Sequence, residues 1–252
     1  WGLVDWFSEM LKSSGAEVKL GELVTSSDVI DFDEVIIATG VSPRDPKIKG
    51  HEKNNVVSYV EVLNGTGQIG QKVVVIGAGG IGFDVSEYLV HENKSDNKQI
   101  EIPKWMKEWG VGDPNKTPGG LAESGPKPEA AVRQVTLMQR KKQKLGRNLG
   151  KTTGWIHRSA LKMKNVQMIG NVNYEEITSE GIMVSDGELR ENPRLVSADT
   201  VVICAGQESD RSLADELIEK GKKVHIIGGA DVASELDAKR AIDQGVRLAI
   251  SL

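Results

Sequence analysis

The stretch VVVIGAGGIGFD, from Val73 to Asp84, constrains the fold of this chain more than any other feature. An apolar run leads into three glycines spaced G-x-G-x-x-G, and a helical pattern follows to about Val90. A strand, a tight turn and a helix in this order form one unit of a parallel sheet. Strand and helix patterns also alternate along the rest of the chain. We therefore expect an α/β fold of the Rossmann type.

The three glycines of this turn have separate expected roles. Gly77 permits the tight turn, Gly79 lets the backbone approach a pyrophosphate, and Gly82 lets helix and strand pack closely. The amides at the start of the helix then face the phosphates, and the helix dipole favours an anion there. The sequence therefore predicts a dinucleotide site, with a glycine-rich turn that binds nothing as the alternative. The predicted contact residues are Gly77, Ala78, Gly79, Gly80, Ile81 and Gly82.

The residue after the second strand of such a unit selects the dinucleotide, because an acidic residue suits NAD and an arginine suits the 2′-phosphate of NADP. We place this strand at Val135 to Gln139, followed by Arg140 and Lys141. The separation from Gly82 is far longer than the usual value of about 20 residues. The assignment therefore requires residues 92–130, which are polar and rich in Gly and Pro, to be an insertion. On this basis we expect NADP, with a solvated basic loop as the alternative.

The stretch KLGRNLGKTT, from Lys144 to Thr153, ends in Gly-Lys-Thr as a phosphate-binding P-loop does. A P-loop needs four residues between its two glycines. Gly146 is one residue too close to Gly150, and a basic run separates both from the preceding strand. We therefore reject a nucleotide triphosphatase, and expect this loop to lie near the edge of the dinucleotide or at a domain seam.

The charge and composition exclude several other classes of protein. A net charge of -4 gives no electrostatic case for nucleic acid as a partner. A single cysteine, Cys204, excludes an internal disulfide and a metal site built from cysteines. We find neither an apolar run that could cross a membrane nor a secretory signal, and so expect a cytoplasmic protein without a membrane partner. Because the chain begins with Trp1, we expect it to be a fragment.

An internal repeat points to a second nucleotide-binding unit. DEVIIATG at residues 33–40 and DTVVICAG at residues 199–206 share an acidic lead, an apolar strand, two small residues and a glycine. Further on, an apolar strand runs into Gly228-Gly229-Ala230-Asp231 and then a helix, whose first amides could bind a phosphate or a flavin carbonyl. Asp231 could hydrogen-bond a ribitol hydroxyl, or could merely cap the last helix.

These motifs resemble those of a known group of enzymes. ATG at residues 38–40, GAGGIG at 77–82, AGQ at 205–207 and GGADVASELDAKRAIDQG at 228–245 follow the order found in flavoprotein reductases with two dinucleotide-binding domains. VIGAGGIGFDVSEYL, LMQRK, LGKTTGWIHR and VVICAGQE resemble, more narrowly, the C-terminal part of bacterial NADPH-dependent 2,4-dienoyl-CoA reductases. That family is related to old yellow enzyme and trimethylamine dehydrogenase.

The resemblance implies a part of a larger enzyme. This part would pass hydride from NADPH to FAD, and an N-terminal barrel domain, absent from these 252 residues, would carry FMN, an iron-sulfur cluster and the acid/base groups. The partners would be small-molecule dinucleotides and that barrel. Beyond the glycine turn, the resemblance implies that Arg140 and Lys141 bind the 2′-phosphate and that Trp155 lies in the dinucleotide or substrate region. The implied FAD contacts are Gly229, Leu236, Asp237 and Ala238, with Val24 on the adenine side, and Thr39, Gly40 and Asp231 are further predicted contacts in the FAD part.

The resemblance also implies how the two domains divide the chain. Residues 67–206 would form the NADP domain, and residues 1–66 with 207–252 would form a partial FAD domain. An FAD domain of this type needs its own glycine fingerprint, which would lie upstream of Trp1, so we expect poor FAD binding. We name no catalytic residue, and expect His157 and Cys204 to be structural. A non-catalytic dinucleotide-binding module that docks on a partner is the alternative, whereas a disulfide reductase would need a C-x-x-x-x-C pair.

Overall fold

The computed structural model describes residues 2–91, 102–234 and 237–252. Helices alternate with mostly parallel strands, which confirms the predicted α/β class. The strands are β1 (Glu34–Ile37), β2 (Val41–Pro43), β3 (Val56–Ser58), β4 (Lys72–Ile76), β5 (Gln134–Met138), β6 (Gln167–Ile169), β7 (Val172–Thr178), β8 (Gly181–Asp186), β9 (Glu191–Ser197), β10 (Thr200–Ile203), β11 (Gln207–Ser209) and β12 (Lys223–Ile226). The α-helices are α1 (Gly2–Ser14), α2 (Tyr59–Asn64), α3 (Gly80–Val90), α4 (Ile102–Trp109), α5 (Gly154–Met163), α6 (Ser212–Glu219) and α7 (Ala238–Ser251).

The chain divides into two compact units. The first comprises residues 1–41 and 209–252, and the second comprises residues 42–208. The prediction placed the first boundary near residue 66, so residues 42–66 fall in the other unit. The reason is that β3 pairs in parallel with β10, which makes it an edge strand of the large sheet of the second unit. The chain crosses from one unit to the other within β2 and again within β11.

The second unit is built on a five-stranded parallel sheet with the order β3-β10-β4-β5-β6. Successive side chains of a strand point to opposite faces, so β4 contributes to two separate cores. Val73 and Val75 pack with Phe83 and Leu89 of α3 on one face. Because both faces of a parallel sheet are covered, its strands are apolar throughout, as the run VVVI at residues 73–76 shows.

A three-stranded antiparallel meander, β7-β8-β9, supplies the other core. Val74 and Ile76 of β4 pack in one buried cluster with Val172 of β7 and Val184 of β8. The sequence pattern predicts a strand at residues 181–184, which is β8, but it predicts neither β7 nor β9. Both of these strands are rich in polar residues, since one face of an antiparallel sheet commonly faces solvent.

The described part of the polar insertion, from residue 102 onward, is ordered by a few specific contacts. It forms α4, a short 3-10 helix at Pro118–Gly120, and a bridge between Val111 and Leu121. The ammonium group of Lys164, at the end of α5, is almost fully buried and lies 2.7 Å from the Glu108 carboxylate of α4. The first residues of the predicted insertion, 92–101, lie outside the described part of the chain.

The first unit is smaller and rests on two parallel strands, β1 and β12, in the register Glu34 opposite Lys223. A small core lies between this pair and α6, around Ile37, Leu217 and Ala230. The apolar alternation at residues 18–20 predicts a strand, but this prediction is wrong, because the segment is exposed coil and pairs with no strand in the part of the chain that the structure describes. Among the described residues, no helix has both the length and the apolar character needed to cross a bilayer.

Candidate functional site

The turn between β4 and α3 has the geometry that a pyrophosphate loop needs. Gly77 has a φ of 105°, and a Cβ atom there would lie 2.3 Å from the Cys204 carbonyl oxygen. A Cβ atom on Gly82 would lie 1.8 Å from the carbonyl oxygen of Gly77, so the turn and the helix touch directly. A Cβ atom on Gly79, by contrast, would meet nothing within 4 Å. The first and third glycines are therefore required by packing, whereas the second borders open space.

Helix α3 begins at this turn, with Gly79 as its N-cap. The first amides of a helix have no partner within the helix, and the helix dipole makes this end attractive to an anion. Ala78 is buried, Gly80 is exposed and Ile81 packs partly against the core. The six residues predicted from the glycine motif therefore form one continuous turn and helix start, with its open side at Gly79 and Gly80.

The carboxyl end of β5 lies beside this turn. β4 and β5 pair in parallel, with Ile76 opposite Met138, so the residues that follow each strand emerge at the same edge of the sheet. This edge is where open α/β sheets bind their ligands. Arg140 and Lys141 follow β5 after one residue, Gln139, and both side chains are exposed. The long insertion therefore leaves β5 in the position that a second strand needs.

The segment after β5 carries a cluster of cations. Its basic residues are Arg140, Lys141, Lys142, Lys144, Arg147 and Lys151, all of them exposed. None of them forms an ion pair with any residue that the structure describes. In a chain with a net charge of -4 this is an unusual concentration of free positive charge. It can attract a phosphate to this edge of the sheet, and arginine can bind one through two hydrogen bonds.

The sequence analysis missed Gln139, which lies directly before these cations. Its side chain is buried, and its amide nitrogen donates hydrogen bonds to the carbonyl oxygens of Lys141, at 2.9 Å, and Gln143. The sequence shows only that a glutamine ends the apolar run of β5, and it shows neither the burial of this side chain nor its partners.

Tyr174 of β7 is a second group that the sequence analysis missed. Its hydroxyl oxygen is buried and has no hydrogen-bond partner among the described residues. Burial raises the pKa of Tyr174, and the guanidinium of Arg140 and the backbone of Gly77 lie close enough to oppose this effect. The phenol therefore keeps its proton and remains a potential donor beside the turn. The strand register shifts between Tyr174 and Glu176, and such bulges redirect side chains.

The stretch KLGRNLGKTT packs against α3 through its first glycine. A Cβ atom on Gly146 would lie 2.8 Å from the ring of Phe83, and the guanidinium of Arg158 donates to the carbonyl oxygen of Gly146 at 3.1 Å. The stretch leads into α5, where Trp155 is exposed at the first turn. Its predicted contact with the dinucleotide stays a prediction.

A cavity of about 420 Å³ lies in the first unit, at the carboxyl ends of β1 and β12. It is open to the first turn of α7, whose amides can bind an anionic or carbonyl oxygen. Four of the residues predicted for FAD, at positions 40, 229, 237 and 238, line this cavity. Its lining is Ala38, Gly40, Ile227, Gly228, Gly229, Asp237, Ala238 and Ala241.

The two acidic residues near this cavity already have local partners. Asp237 is the N-cap of α7 and accepts a hydrogen bond from the amide of Arg240 at 2.7 Å. The Asp231 carboxylate accepts a hydrogen bond from the side-chain amide nitrogen of Gln244 at 2.9 Å. The side-chain oxygen of Gln244 in turn accepts a hydrogen bond from the backbone amide of Gly228. Asp231 therefore does not cap α7, and Gln244 is a residue the sequence analysis missed, which links the glycine turn to α7.

Two other residues predicted for FAD, Val24 and Thr39, are not among the residues that line the cavity. Val24 lies in exposed coil before the 3-10 helix Ser26–Asp28, and the hydroxyl of Thr39 donates to the carbonyl oxygen of Asp210 at 2.6 Å. Leu236 lies outside the described residues. The assignment of these residues to FAD stays a prediction.

The residues that could suggest other chemistry have structural surroundings. Burial raises the pKa of the Cys204 thiol to about 12, so it is a poor nucleophile near neutral pH. His157 lies on α5, 3.4 Å from the carboxylate of Glu87 on α3. No group of three or more His, Cys, Asp or Glu side chains with metal-binding geometry occurs in the described part of the chain.

A parallel sheet with a glycine turn, and a second parallel strand pair that ends in a glycine-lined cavity, define the class of FAD- and NAD(P)-binding α/β proteins. Within this class, the chain belongs to the pyridine nucleotide-disulphide oxidoreductase family, whose family model matches residues 8–236. The family's name refers to a disulfide, but these 252 residues hold one cysteine and so no redox-active pair.

Three similar proteins are named reductases. The chain is 25% identical over 222 residues to a metal reductase of Desulforamulus reducens, and the match covers 86% of this chain and 31% of that protein. It is 37% identical over 94 residues to a cinnamate reductase of Clostridium sporogenes, which covers 36% of this chain and 14% of that protein. In fold it resembles 2-naphthoyl-CoA reductase in complex with 2-naphthoyl-CoA, with a TM-score of 0.72, 21% identity, and coverage of 98% of this chain and 31% of that structure. The chain thus spans less than a third of the length of these proteins.

Proposed function

We propose that this chain is the nucleotide-binding part of an NADPH-dependent flavin reductase that acts on unsaturated acyl thioesters, most specifically a 2,4-dienoyl-CoA reductase. The nucleotide assignment rests on two cations, Arg140 and Lys141, which follow the strand beside the open glycine turn and form no ion pair among the described residues. The substrate class is supported by the motifs at residues 137–141 and 149–158. The names of two similar proteins also support it, since a cinnamate reductase acts on an unsaturated acid and 2-naphthoyl-CoA is an acyl thioester.

In this proposal the residues of the second unit bind and orient NADPH. The amides at the start of α3 hold the pyrophosphate, where Gly79 leaves room for it. The guanidinium of Arg140 and the ammonium of Lys141 bind the 2′-phosphate, which NADH lacks. The exposed cations further along the loop raise the local concentration of the anionic nucleotide, an effect that weakens as salt is added.

The cavity of the first unit fits part of a flavin nucleotide. The backbone amide of Gly229 and the first amides of α7 offer donors to carbonyl or phosphate oxygens, and glycine at positions 228 and 229 leaves no side chains in the way. When bound, FAD would supply the hydride-accepting chemistry, and the protein's task would be to hold the two nucleotides and exclude water. FMN, an iron-sulfur cluster and a barrel domain would belong to the rest of a larger protein.

Binding of the oxidised nucleotides NADP⁺ and NAD⁺ tests the proposed preference, because neither can reduce a flavin during the measurement. We expect tighter binding of NADP⁺ by calorimetry. Arg140→Ala should weaken the binding of NADP⁺ by about 10- to 100-fold, since a charge-assisted hydrogen bond contributes about 1.5–3 kcal/mol. Binding of NAD⁺ should change by less than about twofold, a difference below 0.5 kcal/mol.

Lys142→Ala is the matched control, since it removes an exposed cation from the same loop. If Lys142→Ala loses as much affinity for NADP⁺ as Arg140→Ala does, the loop acts only through its overall positive charge. Equal affinities for the two nucleotides in the unaltered protein would refute the NADPH assignment.

The alternative function, a non-catalytic dinucleotide-binding module, differs in its prediction for electron transfer. A reductase with both nucleotide sites complete reduces an artificial electron acceptor with NADPH, whereas a binding module does not. Assay of the intact protein with such an acceptor separates the two.

A further inference from the structure

The backbone of Gln139 is fixed on both sides at the end of β5. Its amide donates to the carbonyl oxygen of Ile169 at 2.9 Å, and its own carbonyl oxygen accepts from the amide of Val172 at 3.3 Å. Gln139 therefore continues the sheet by one residue and defines the point where the basic loop begins. Its side chain is 8% exposed, although glutamine is usually found at the surface.

The buried side chain of Gln139 binds two backbone carbonyl groups of the basic loop. The two protons of its amide nitrogen are donated to the carbonyl oxygens of Lys141, at 2.9 Å, and Gln143. The carbonyl of Lys141 also accepts from the amide of Asn171 at 3.2 Å. Both loop carbonyls therefore point inward, toward the buried amide.

This inward arrangement has a consequence for the side chains of the loop. Residues 140–143 belong to no helix or strand, so local hydrogen bonds must fix their backbone. The side chains of Arg140 and Lys141 have no ion pair of their own among the described residues, so the backbone alone sets where they start. A loop already in its binding conformation loses less freedom when it binds a ligand, and so binds it more tightly.

We propose that Gln139 is a positioning residue that sets the preference for a 2′-phosphorylated nucleotide. Its amide holds the loop in the conformation that directs Arg140 and Lys141 toward the 2′-phosphate, and it does not touch the nucleotide itself. This inference rests on the proposed binding of NADP. The glycine turn before α3 is joined to β5 through the backbone, where the amide of Gly77 donates to the carbonyl oxygen of Met138 at 2.8 Å. The side chain of Gln139 takes no part in that bond, so we expect a change of this side chain to leave the pyrophosphate site in place.

The variant Gln139→Met tests this role, because methionine has a similar length and no hydrogen-bond donor. In the intact protein we expect the Kd for NADP⁺ to rise by about tenfold, the size expected from losing two hydrogen bonds of ordinary strength. The Kd for NAD⁺ should change by less than about twofold. Gln134→Met is the matched control, since Gln134 is exposed at the start of the same strand, and it should change neither constant.

The ratio of the two dissociation constants separates positioning from a general structural role. If Gln139→Met weakens the binding of NADP⁺ and NAD⁺ equally, or weakens neither, the inference is overturned and the proposed function still stands. An unaltered protein without a preference for NADP⁺ would overturn both. If Gln139→Met does not fold, Gln139→Asn carries the same test, because its shorter amide cannot reach both carbonyls and should also reduce the preference.

Discussion

At the scale of single residues, the three glycines of one turn differ sharply in what surrounds them. Gly77 and Gly82 meet backbone atoms of the protein, whereas Gly79 faces open space. Replacement by alanine should therefore reduce stability at Gly82, whereas at Gly79 it should reduce nucleotide binding and leave stability nearly unchanged. This contrast makes the turn a direct test of whether it is structural or binds a ligand.

Gly82→Ala should destabilise the protein, because the new Cβ atom would lie 1.8 Å from the carbonyl oxygen of Gly77 and the helix must move. We expect a loss of about 3 kcal/mol in the free energy of unfolding, as is typical of a severe clash in a core. Chemical denaturation measures this loss.

Gly79→Ala is the matched variant. It should fold with nearly unchanged stability, since φ at this position is -82° and no atom lies within 4 Å of the added Cβ. It should nevertheless weaken the binding of NADP⁺ and of NAD⁺ by about tenfold each, which corresponds to about 1.4 kcal/mol of binding free energy. The reason is that the pyrophosphate then meets a methyl group. Unchanged binding of both nucleotides would mean that the turn is not the pyrophosphate site.

At the scale of elements, strand pairing places the residues that matter. In the second unit, the parallel pairing of β4 with β5 brings the basic loop beside the glycine turn across a long insertion. In the first unit, the pairing of β1 with β12 is reinforced by one carboxylate. Glu34 accepts hydrogen bonds from Lys223 at 2.5 Å and from His225 at 2.8 Å, both on the neighbouring strand.

The pairing through Glu34 predicts a dependence of stability on pH. Hydrogen bonds from Lys223 and His225 hold the pKa of Glu34 below its ordinary value of 4.5. A carboxyl group with a lowered pKa in the folded state stabilises the protein above its unfolded pKa, and this contribution is lost as the pH falls through the folded pKa. Glu34→Gln should therefore reduce stability at pH 7, and the difference from the unaltered protein should shrink in acid.

Thermal unfolding at several pH values and salt concentrations checks this prediction. The effect should be modest and should weaken in high salt, because the carboxylate is close to solvent. Glu219→Gln, which changes an exposed carboxylate at the end of α6, is the control. A difference that persists unchanged at low pH would show that the charge of Glu34 is not the cause.

At the scale of the whole molecule, the two units are unequal. The second has a sheet covered on both faces and a complete glycine turn, whereas the first has two paired strands and helices with exposed apolar residues. Trp6 and Phe7 of α1 are 54% and 44% exposed, and Ile242 and Val246 of α7 are 50% and 53% exposed. The matched relatives extend well beyond the length of this chain.

This inequality predicts different nucleotide binding by the two units. A polypeptide of these 252 residues should bind NADP⁺ but hold little FAD, because its one glycine fingerprint is in the second unit. The visible absorbance of the purified polypeptide, after incubation with FAD and gel filtration, measures bound flavin. Stoichiometric FAD would contradict the prediction, and a longer polypeptide that adds a second fingerprint should bind it.

Local motifs were sufficient for much of the fold. The strand, turn and helix at residues 73–90 and the strand before Arg140 were predicted, because they have a clear hydrophobic pattern or a glycine in a conformation that other residues rarely adopt. The segment at residues 18–20 was misassigned as a strand, because a short apolar alternation does not form a strand without a partner to pair with.

The sequence by itself determined the α/β class, the glycine turn, and the presence of cations after the second strand, since these depend on residue type and local spacing. Only the tertiary structure decided the placement of β3 in the large sheet, the antiparallel meander, and the roles of Gln139 and Gln244. These depend on contacts between residues that are distant in the chain or on the burial of a polar group. Neither produces a periodic pattern in the sequence, because a buried hydrogen bond depends on the position of its partner and not on the residue alone.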